Sequence, residues 1–190
     1  MKKSIIYIFL ILLVFSYVSC KKFSEDIQRD AIIVDSLDFN IPVIAEEDSS
    51  LSFSDIKLPL NPGARIKEQL SGFNESDITS IKLSKMNLRL SYIKNSKDKL
   101  DSIDAGNNFG NFQSLRFTIP EGSTAKTIAS TLINSSAVTA GVLMTTDPLL
   151  ELKPLVGANT TSTLSLRARK ATNKEINVRA VATFTVTVSR

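Results

Sequence analysis

The alternation of apolar and polar residues is most regular near the C-terminal end of the chain. Leu164, Leu166 and Ala168 occupy every second position of one segment. The next segment continues the same pattern with Ile176, Val178, Ala180, Ala182, Phe184, Val186 and Val188. Successive side chains of a strand point to opposite faces of a sheet, so each segment predicts a strand with one buried face. The turn-like residues 170–174 between them predict a long C-terminal β-hairpin.

Shorter alternating segments predict further strands earlier in the chain. One of them ends close to Pro42, a residue that favours a strand end or an edge strand. Another covers residues 78–93, where the apolar parity changes near Ser84 and Lys85, which predicts a β-bulge. The apolar positions that define these segments are Leu37, Phe39, Ile41, Ile81, Leu83, Met86, Leu88, Leu90, Leu115, Phe117 and Ile119.

Helical spacing is limited to short stretches. Ile128, Ala129, Leu132 and Ile133 recur at helical intervals, which predicts a short crossover helix over residues 125–134. Residues 64–70 could form a further turn of helix. The pattern as a whole predicts a mainly β fold, an antiparallel β-sandwich of immunoglobulin-like or jelly-roll-like type, with one short helix and the long C-terminal hairpin. We assign residues 36–190 to this single domain.

The N-terminal segment has the pattern of an export signal. Lys2 and Lys3 precede an apolar run from Ile5 to Phe15, and the only cysteine, Cys20, follows shortly after. The run is shorter than the roughly 20 apolar residues that span a bilayer. It fits the apolar region of a signal peptide, so we assign residues 1–19 to a signal and residues 20–35 to a tether. An uncleaved N-terminal anchor and an ordinary secretory signal remain alternatives.

Val18, Ser19 and Cys20 give this segment a resemblance to bacterial lipoprotein signals. The resemblance implies that Cys20 becomes the new N-terminus and carries acyl chains such as palmitate, which attach the protein to a membrane. The absence of Asp directly after Cys20 implies the outer membrane, with either a periplasmic or a cell-surface face. A signal, a tether and a β-sandwich together resemble the small uncharacterised lipoproteins of Bacteroidota envelopes.

Composition narrows the possible chemistry. The chain has no histidine and no tryptophan. Catalytic Ser-His-Asp and Cys-His arrangements are therefore excluded, as are zinc sites that need histidine or several cysteines. Removal of Lys2 and Lys3 with the signal leaves 21 basic and 19 acidic residues, a formal charge of about +2. An excess this small does not predict a nucleic-acid partner.

The polar segment 94–113 contains candidate ligands for Ca²⁺. Asp98, Asp101 and Asp104 are spaced closely, and Asn107 and Asn108 follow them. Carboxylate and amide oxygens are the ligands that Ca²⁺ prefers, but the spacing does not match an EF-hand. A solvated loop without a metal is the alternative, and we expect no other cofactor.

Basic residues cluster around the predicted hairpin and could bind an anion. They are Arg167, Arg169, Lys170 and Arg179. The arginine guanidinium matches phosphate and carboxylate groups, so lipid headgroups, lipopolysaccharide or acidic glycans are candidate ligands. The alternative is that these charges prevent aggregation through the strand edges.

Two short motifs resemble the acceptor sequence for O-glycosylation in Bacteroidota envelope proteins. They are Asp35-Ser36-Leu37 and Asp101-Ser102-Ile103, so Ser36 and Ser102 are candidate acceptors. A three-residue pattern also occurs by chance, which is the alternative.

These features favour a non-catalytic, lipid-anchored envelope protein that binds or scaffolds a protein or glycan partner. A surface lipoprotein that binds a glycan or polyanion through Arg167 and Arg179 is the first alternative. A hydrolase that uses two carboxylates drawn from Asp98, Asp101 and Asp104 is the second.

Overall fold

The computed structural model describes residues 27–58, 62–91, 106–121, 124–155 and 161–190. These residues form a mainly β structure with one short α-helix, α1, at Pro62–Gln69. The strands are β1 (Gln28–Ile41), β2 (Ser50–Lys57), β3 (Ile78–Leu90), β4 (Phe112–Glu121), β5 (Thr124–Leu132), β6 (Gly141–Thr146), β7 (Thr161–Ala168) and β8 (Ile176–Ser189). No helix in the described ranges is both long and apolar enough to cross a membrane.

The strands pair in a nested order that defines a jelly roll. β1 pairs with β8, β2 with β7, β3 with β6 and β4 with β5, and all of these pairs are antiparallel. The result is two four-stranded layers, sheet I (β1-β8-β3-β6) and sheet II (β5-β4-β7-β2), connected by a short β5–β6 pairing. The predicted antiparallel β-sandwich is confirmed, in its jelly-roll form.

The predicted C-terminal hairpin is wrong, although both of its strands exist. β8 lies between β1 and β3 in sheet I, whereas β7 lies between β2 and β4 in sheet II. The connection between them crosses the end of the sandwich and is held there by other segments. Thr172 N–H donates to Ile44 O at 2.9 Å, and the N–H groups of Arg169 and Lys170 donate to Asn111 O at 2.7 and 3.1 Å.

The predicted helix over residues 125–134 is also wrong, because this segment contains strand β5. Phe117 pairs with Ala129 and Thr118 with Thr127, so Ile128 is an extra residue in a β-bulge. Ile128 and Ala129 are both buried as a result, and two adjacent buried residues imitate helical spacing. The helical turn expected over residues 64–70 is confirmed by α1.

Two other predictions about strands are confirmed. The register of β3 against β8 shifts between Leu83 and Lys85, at the position of the predicted bulge. All seven apolar residues of the β8 alternation are buried. The predicted tether, however, is too long at its C-terminal end. β1 begins at Gln28 and pairs with β8 over its whole length, so residues 28–35 belong to the sandwich.

The core lies between the inner faces of the two sheets. Val178, Val186 and Val188 of β8 face Leu164 of β7 and Phe117 of β4 across this core, and all of them are fully buried. The rings of Phe39 in sheet I and Phe117 in sheet II meet edge to face, with centroids 5.8 Å apart. Such a pair adds about 0.5–1.5 kcal/mol beyond burial alone. The inward side chains of the described strands are therefore committed to packing and do not form a ligand site.

Candidate functional site: the outer face of sheet II

The structure separates the basic residues that the sequence grouped together. Arg179 lies on β8 in sheet I, and Arg167 lies on β7 in sheet II. Arg169 and Lys170 lie in the connection between those strands. The predicted patch on one hairpin therefore does not exist as a unit.

Arg179 is already paired with a carboxylate. Its Nε donates to Asp38 Oδ1 at 2.8 Å and one terminal nitrogen donates to Asp38 Oδ2 at 2.9 Å, so the contact is bidentate. The hydrogen bond from Arg179 lowers the pKa of Asp38, and the same contact raises the pKa of Arg179. Arg169 also has an internal role, because its guanidinium donates to the Ile133 carbonyl oxygen. Lys170 is exposed.

Arg167 and Arg116 differ from Arg179 in their surroundings. Both side chains are exposed on the outer face of sheet II. Within the described part of the chain, neither forms an ion pair. Arg116 pairs with Ser165, and Arg167 pairs with Ser114, so the two arginines are diagonal neighbours on β4 and β7. Diagonal positions in an antiparallel sheet are about 7–8 Å apart, close enough for both guanidinium groups to contact one anionic ligand.

A shallow groove of about 810 Å³ runs across this outer face and contains both arginines. Serine and threonine make up most of the other residues that line it. Ser52 and Ser165 are within hydrogen-bonding distance across β2 and β7, at 3.0 Å. The lining residues are Ser50, Leu51, Ser52, Ser114, Leu115, Arg116, Ser130, Thr131, Leu132, Thr145, Ser165, Leu166 and Arg167. Hydroxyl and guanidinium groups offer many hydrogen bonds and two positive charges to a ligand.

Only part of this site was visible in the sequence. Arg167 belongs to a cluster of basic residues in the sequence, whereas Arg116 lies about 50 residues away from that cluster and no sequence pattern singles it out. The signal that could have found the groove is the repetition of serine, threonine and arginine at outward positions of successive strands. That signal becomes a site only when β2, β7, β4 and β5 are known to be neighbours.

The predicted Ca²⁺ site stays a prediction, and only its two asparagines lie among the described residues. Asn107 and Asn108 are buried, and their amide oxygens already accept hydrogen bonds. Asn107 Oδ1 accepts from Lys174 N–H, and Asn108 Oδ1 accepts from Gly110 N–H at 2.7 Å and Thr139 N–H at 3.2 Å. Asp98, Asp101 and Asp104 lie outside the described residues. Across the described ranges, no three acidic or cysteine residues cluster in a way that could hold a metal.

Of the two candidate glycosylation sites, Ser36 lies among the described residues and Ser102 does not. Ser36 is exposed on the outer face of β1, and its N–H donates to Asp35 Oδ1 at 2.9 Å. Ser102 lies outside the described residues, as does the predicted lipidation site Cys20.

Several carboxyl groups have a pKa below the ordinary value, and internal hydrogen bonds explain this. Asp77 accepts from the backbone N–H of Asn74 and from Arg190, which lowers its pKa. Burial opposes ionisation of Glu151, but hydrogen bonds led by that from Ser80 outweigh it and lower the pKa. These hydrogen bonds favour the ionised form of both carboxylates and connect them to the surrounding strands and loops.

Comparison with known proteins gives distant structural likenesses only. No family model matches the chain, and no curated protein matches its sequence. The capsid chain of cyanophage Pam1 is similar at a TM-score of 0.38 and 11% identity, over 82% of this chain and 85% of that chain. A BFDV capsid protein has a TM-score of 0.37 and 8% identity, over 88% of this chain and 96% of that chain. Likeness at this level does not bear on what the chain binds.

Proposed function

We propose that this chain is a non-catalytic, lipid-anchored envelope protein that binds an anionic glycan across the outer face of sheet II. The observation that carries the proposal is the groove that contains Arg116 and Arg167 without carboxylate partners in the described residues. Guanidinium groups bind carboxylate and phosphate substituents, and the surrounding hydroxyls suit the hydroxyl groups of sugar rings. The described residues that line the groove include no aromatic side chain, which favours polar recognition over stacking.

Binding of an acidic polysaccharide, polygalacturonate, against a neutral one, dextran, tests this proposal. We expect binding to the acidic polymer only, weakened by salt because exposed charges are screened over about 10 Å at 0.1 M. The Arg116→Ala/Arg167→Ala double variant should bind at least about tenfold more weakly, since hydrogen bonds to charged groups contribute about 1.5–3 kcal/mol each.

Arg89→Ala is the matched control for Arg116→Ala and Arg167→Ala taken singly. Arg89 is an exposed arginine on β3, on the outer face of sheet I, and no carboxylate pairs with it in the described residues. Its loss removes one positive charge from the other side of the sandwich, as each single groove variant removes one from the groove. Equal weakening by Arg89→Ala and by the single groove variants would mean that binding follows net charge alone, and the groove would not be the site. Shortened polysaccharide after incubation would instead support the hydrolase alternative.

Membrane attachment through Cys20 is the second part of the proposal, and it rests on the resemblance of residues 18–20 to lipoprotein signals. We expect the wild-type protein in the membrane fraction and Cys20→Ala in the soluble fraction, with palmitate label only in the wild type. Protease treatment of intact cells then distinguishes the two membrane faces. Digestion places the domain on the surface, and protection until the outer membrane is opened places it in the periplasm.

A further inference from the structure

Among the described residues, β1 and β2 form the two edges of the jelly roll, and these edges differ in how open they are to another strand. β2 forms the edge of sheet II, and its register against β7 shifts between Phe53 and Ile56, with Asp55 at a φ of 66°. Such a bulge disturbs an edge and hinders pairing with another chain. β1 forms the edge of sheet I and pairs with β8 over 14 residues without a register shift. β1 is therefore the regular edge.

Backbone groups of β1 point to this open edge at every second residue. Ile27 N–H donates to Arg190 O at 3.1 Å, which places the odd-numbered N–H and C=O groups toward β8. The even-numbered groups then point outward. Those of Asp30, Ile32 and Val34 have no hydrogen-bond partner among the described residues, whereas Ser36 N–H is covered by its neighbour Asp35.

The outward side chains of β1 are apolar in the middle, and the two outward carboxylates on either side have hydrogen-bond partners within their own copy. Ile32 is 63% exposed and Val34 is 54% exposed. Asp30 Oδ1 accepts a hydrogen bond from Thr187 at 2.7 Å, and Asp38 is held by Arg179. The central residues 31–34 contain no charge, proline or bulge, and an exposed aliphatic stretch of this kind at an edge is a template for strand addition.

We propose that β1 pairs antiparallel with β1 of a second copy of this chain, about a two-fold axis at Ile33. In that register Ile32 lies opposite Val34 of the second copy, and Val34 lies opposite Ile32. Asp30 then lies opposite Ser36, so no two carboxylates face each other. The two copies of sheet I join into one continuous sheet, and four aliphatic side chains cover one another on its outer face.

Neighbouring registers do not give this match. A shift of the axis to Ile32 places Val34 opposite Asp30, which buries a carboxylate against an aliphatic side chain. A shift to Val34 places Asp30 opposite Asp38, and like charges directly opposite destabilise a sheet. Complementarity of the edge with itself is what identifies a second copy, and not an unrelated strand, as the occupant.

Sedimentation of the full chain in detergent over a wide concentration range tests the dimer. We expect a dimer that dissociates on dilution, and loss of the dimer in Val34→Lys. Leu143→Lys is the matched control, because Leu143 is also an aliphatic residue of the outer face of sheet I and is 61% exposed. It should leave the dimer intact, and urea unfolding should show that both variants are folded.

Substitution by proline tests whether the backbone edge itself takes part. Val34→Pro removes an outward N–H and leaves the bonds to β8 in place, so it should abolish the dimer. Asn40→Pro removes an outward N–H that lies beyond the centre of the proposed register, so this variant should still form the dimer. Amide exchange should slow at Ile32 and Val34 as the dimer forms.

Each result decides for or against the second copy. A monomer at every concentration overturns the proposal, as does a dimer that survives both Val34→Lys and Val34→Pro. Slow exchange at Ile32 and Val34 that appears only after addition of envelope extract would assign the edge to a different chain, and it too would overturn the self-pairing.

Discussion

β7 and β8 follow each other in the sequence and alternate in the same way, but the two strands present different outer faces. The outward arginine of β8, Arg179, lies opposite Asp38 of β1 and is bound by it. The outward arginine of β7, Arg167, lies between Ser50 of β2 and Ser114 of β4. Whether a charged residue on a strand can bind a ligand therefore depends on the residue opposite it on the neighbouring strand. The sequence of its own strand does not decide this.

The difference begins in the connection between the two strands. Residues 169–175 cross from sheet II to sheet I, next to the connection that leads from β1 to β2. Ile44 N–H donates to Thr172 Oγ1 at 2.8 Å and Thr172 N–H donates back to Ile44 O, so the two crossings are joined. The buried residue Asn111 supports the same connection, because its backbone oxygen accepts from the N–H groups of Arg169 and Lys170. These contacts prevent β7 and β8 from folding back on each other.

Asn108→Ala is expected to cause the largest loss of stability at the crossing between β7 and β8. Asn108 is 1% exposed, accepts from Gly110 and Thr139 N–H, and donates to Asn111 Oδ1 at 3.1 Å. Its loss leaves buried partners unsatisfied, which costs about 1–3 kcal/mol for each group. We expect a loss of about 3 kcal/mol of unfolding free energy in urea. Asn40→Ala, on the exposed side of β1, should cost less than about 0.5 kcal/mol.

Thr172→Val should weaken the crossing by a smaller amount. The substitution keeps the shape of the side chain and removes the oxygen that accepts from Ile44 N–H. Because Thr172 is buried, we expect a loss of about 1–2 kcal/mol in the same urea measurement. Thr185→Val on the outer face of β8 is the control and should change stability by less than about 0.5 kcal/mol. Equal losses of unfolding free energy in Thr172→Val and Thr185→Val would mean that the hydrogen bond between Thr172 and Ile44 does not add to stability.

Ser50→Asp should give Arg167 of β7 a carboxylate partner, as Asp38 is the partner of Arg179 on β8. Ser50 lies opposite Arg167 in the β2–β7 register, as Asp38 lies opposite Arg179. A carboxylate at this position would occupy the guanidinium and repel an anionic glycan, so we expect affinity to fall at least about tenfold. Ser50→Asn, similar in size but uncharged, should bind nearly as well as the wild type. Unchanged affinity in Ser50→Asp would remove Arg167 from the binding site.

The smallest effect concerns the pH dependence of the Asp38–Arg179 pair. The folded-state pKa of Asp38 lies below its ordinary value because of the hydrogen bond from Arg179. The pair therefore stabilises the fold above the unfolded-state pKa, and this stabilisation is lost as pH falls through the lowered folded-state value. Arg179→Ala should raise the pKa of Asp38 in an NMR titration. Arg89→Ala should leave it unchanged.

The confirmed predictions and the errors have physical explanations in particular residues. The alternation of β8 and the parity change at Ser84 and Lys85 are local patterns, and both appear in the structure. The false helix over residues 125–134 came from the bulge at Ile128, which places two buried residues next to each other. Thr127 and Thr131 in that segment are β-branched, and they would have favoured a strand.

The sequence by itself determined which side chains of the regularly alternating strands, such as β4 and β8, point inward and which catalytic classes are excluded for lack of histidine. These properties depend on the alternation of side chains along one strand and on composition. Only the tertiary structure decided that β1 pairs with β8 and β2 with β7, and so which arginines stand beside a carboxylate. Pairing of Gln28 with Ser189 depends on how two sheets bury one common core, and no local pattern records that choice.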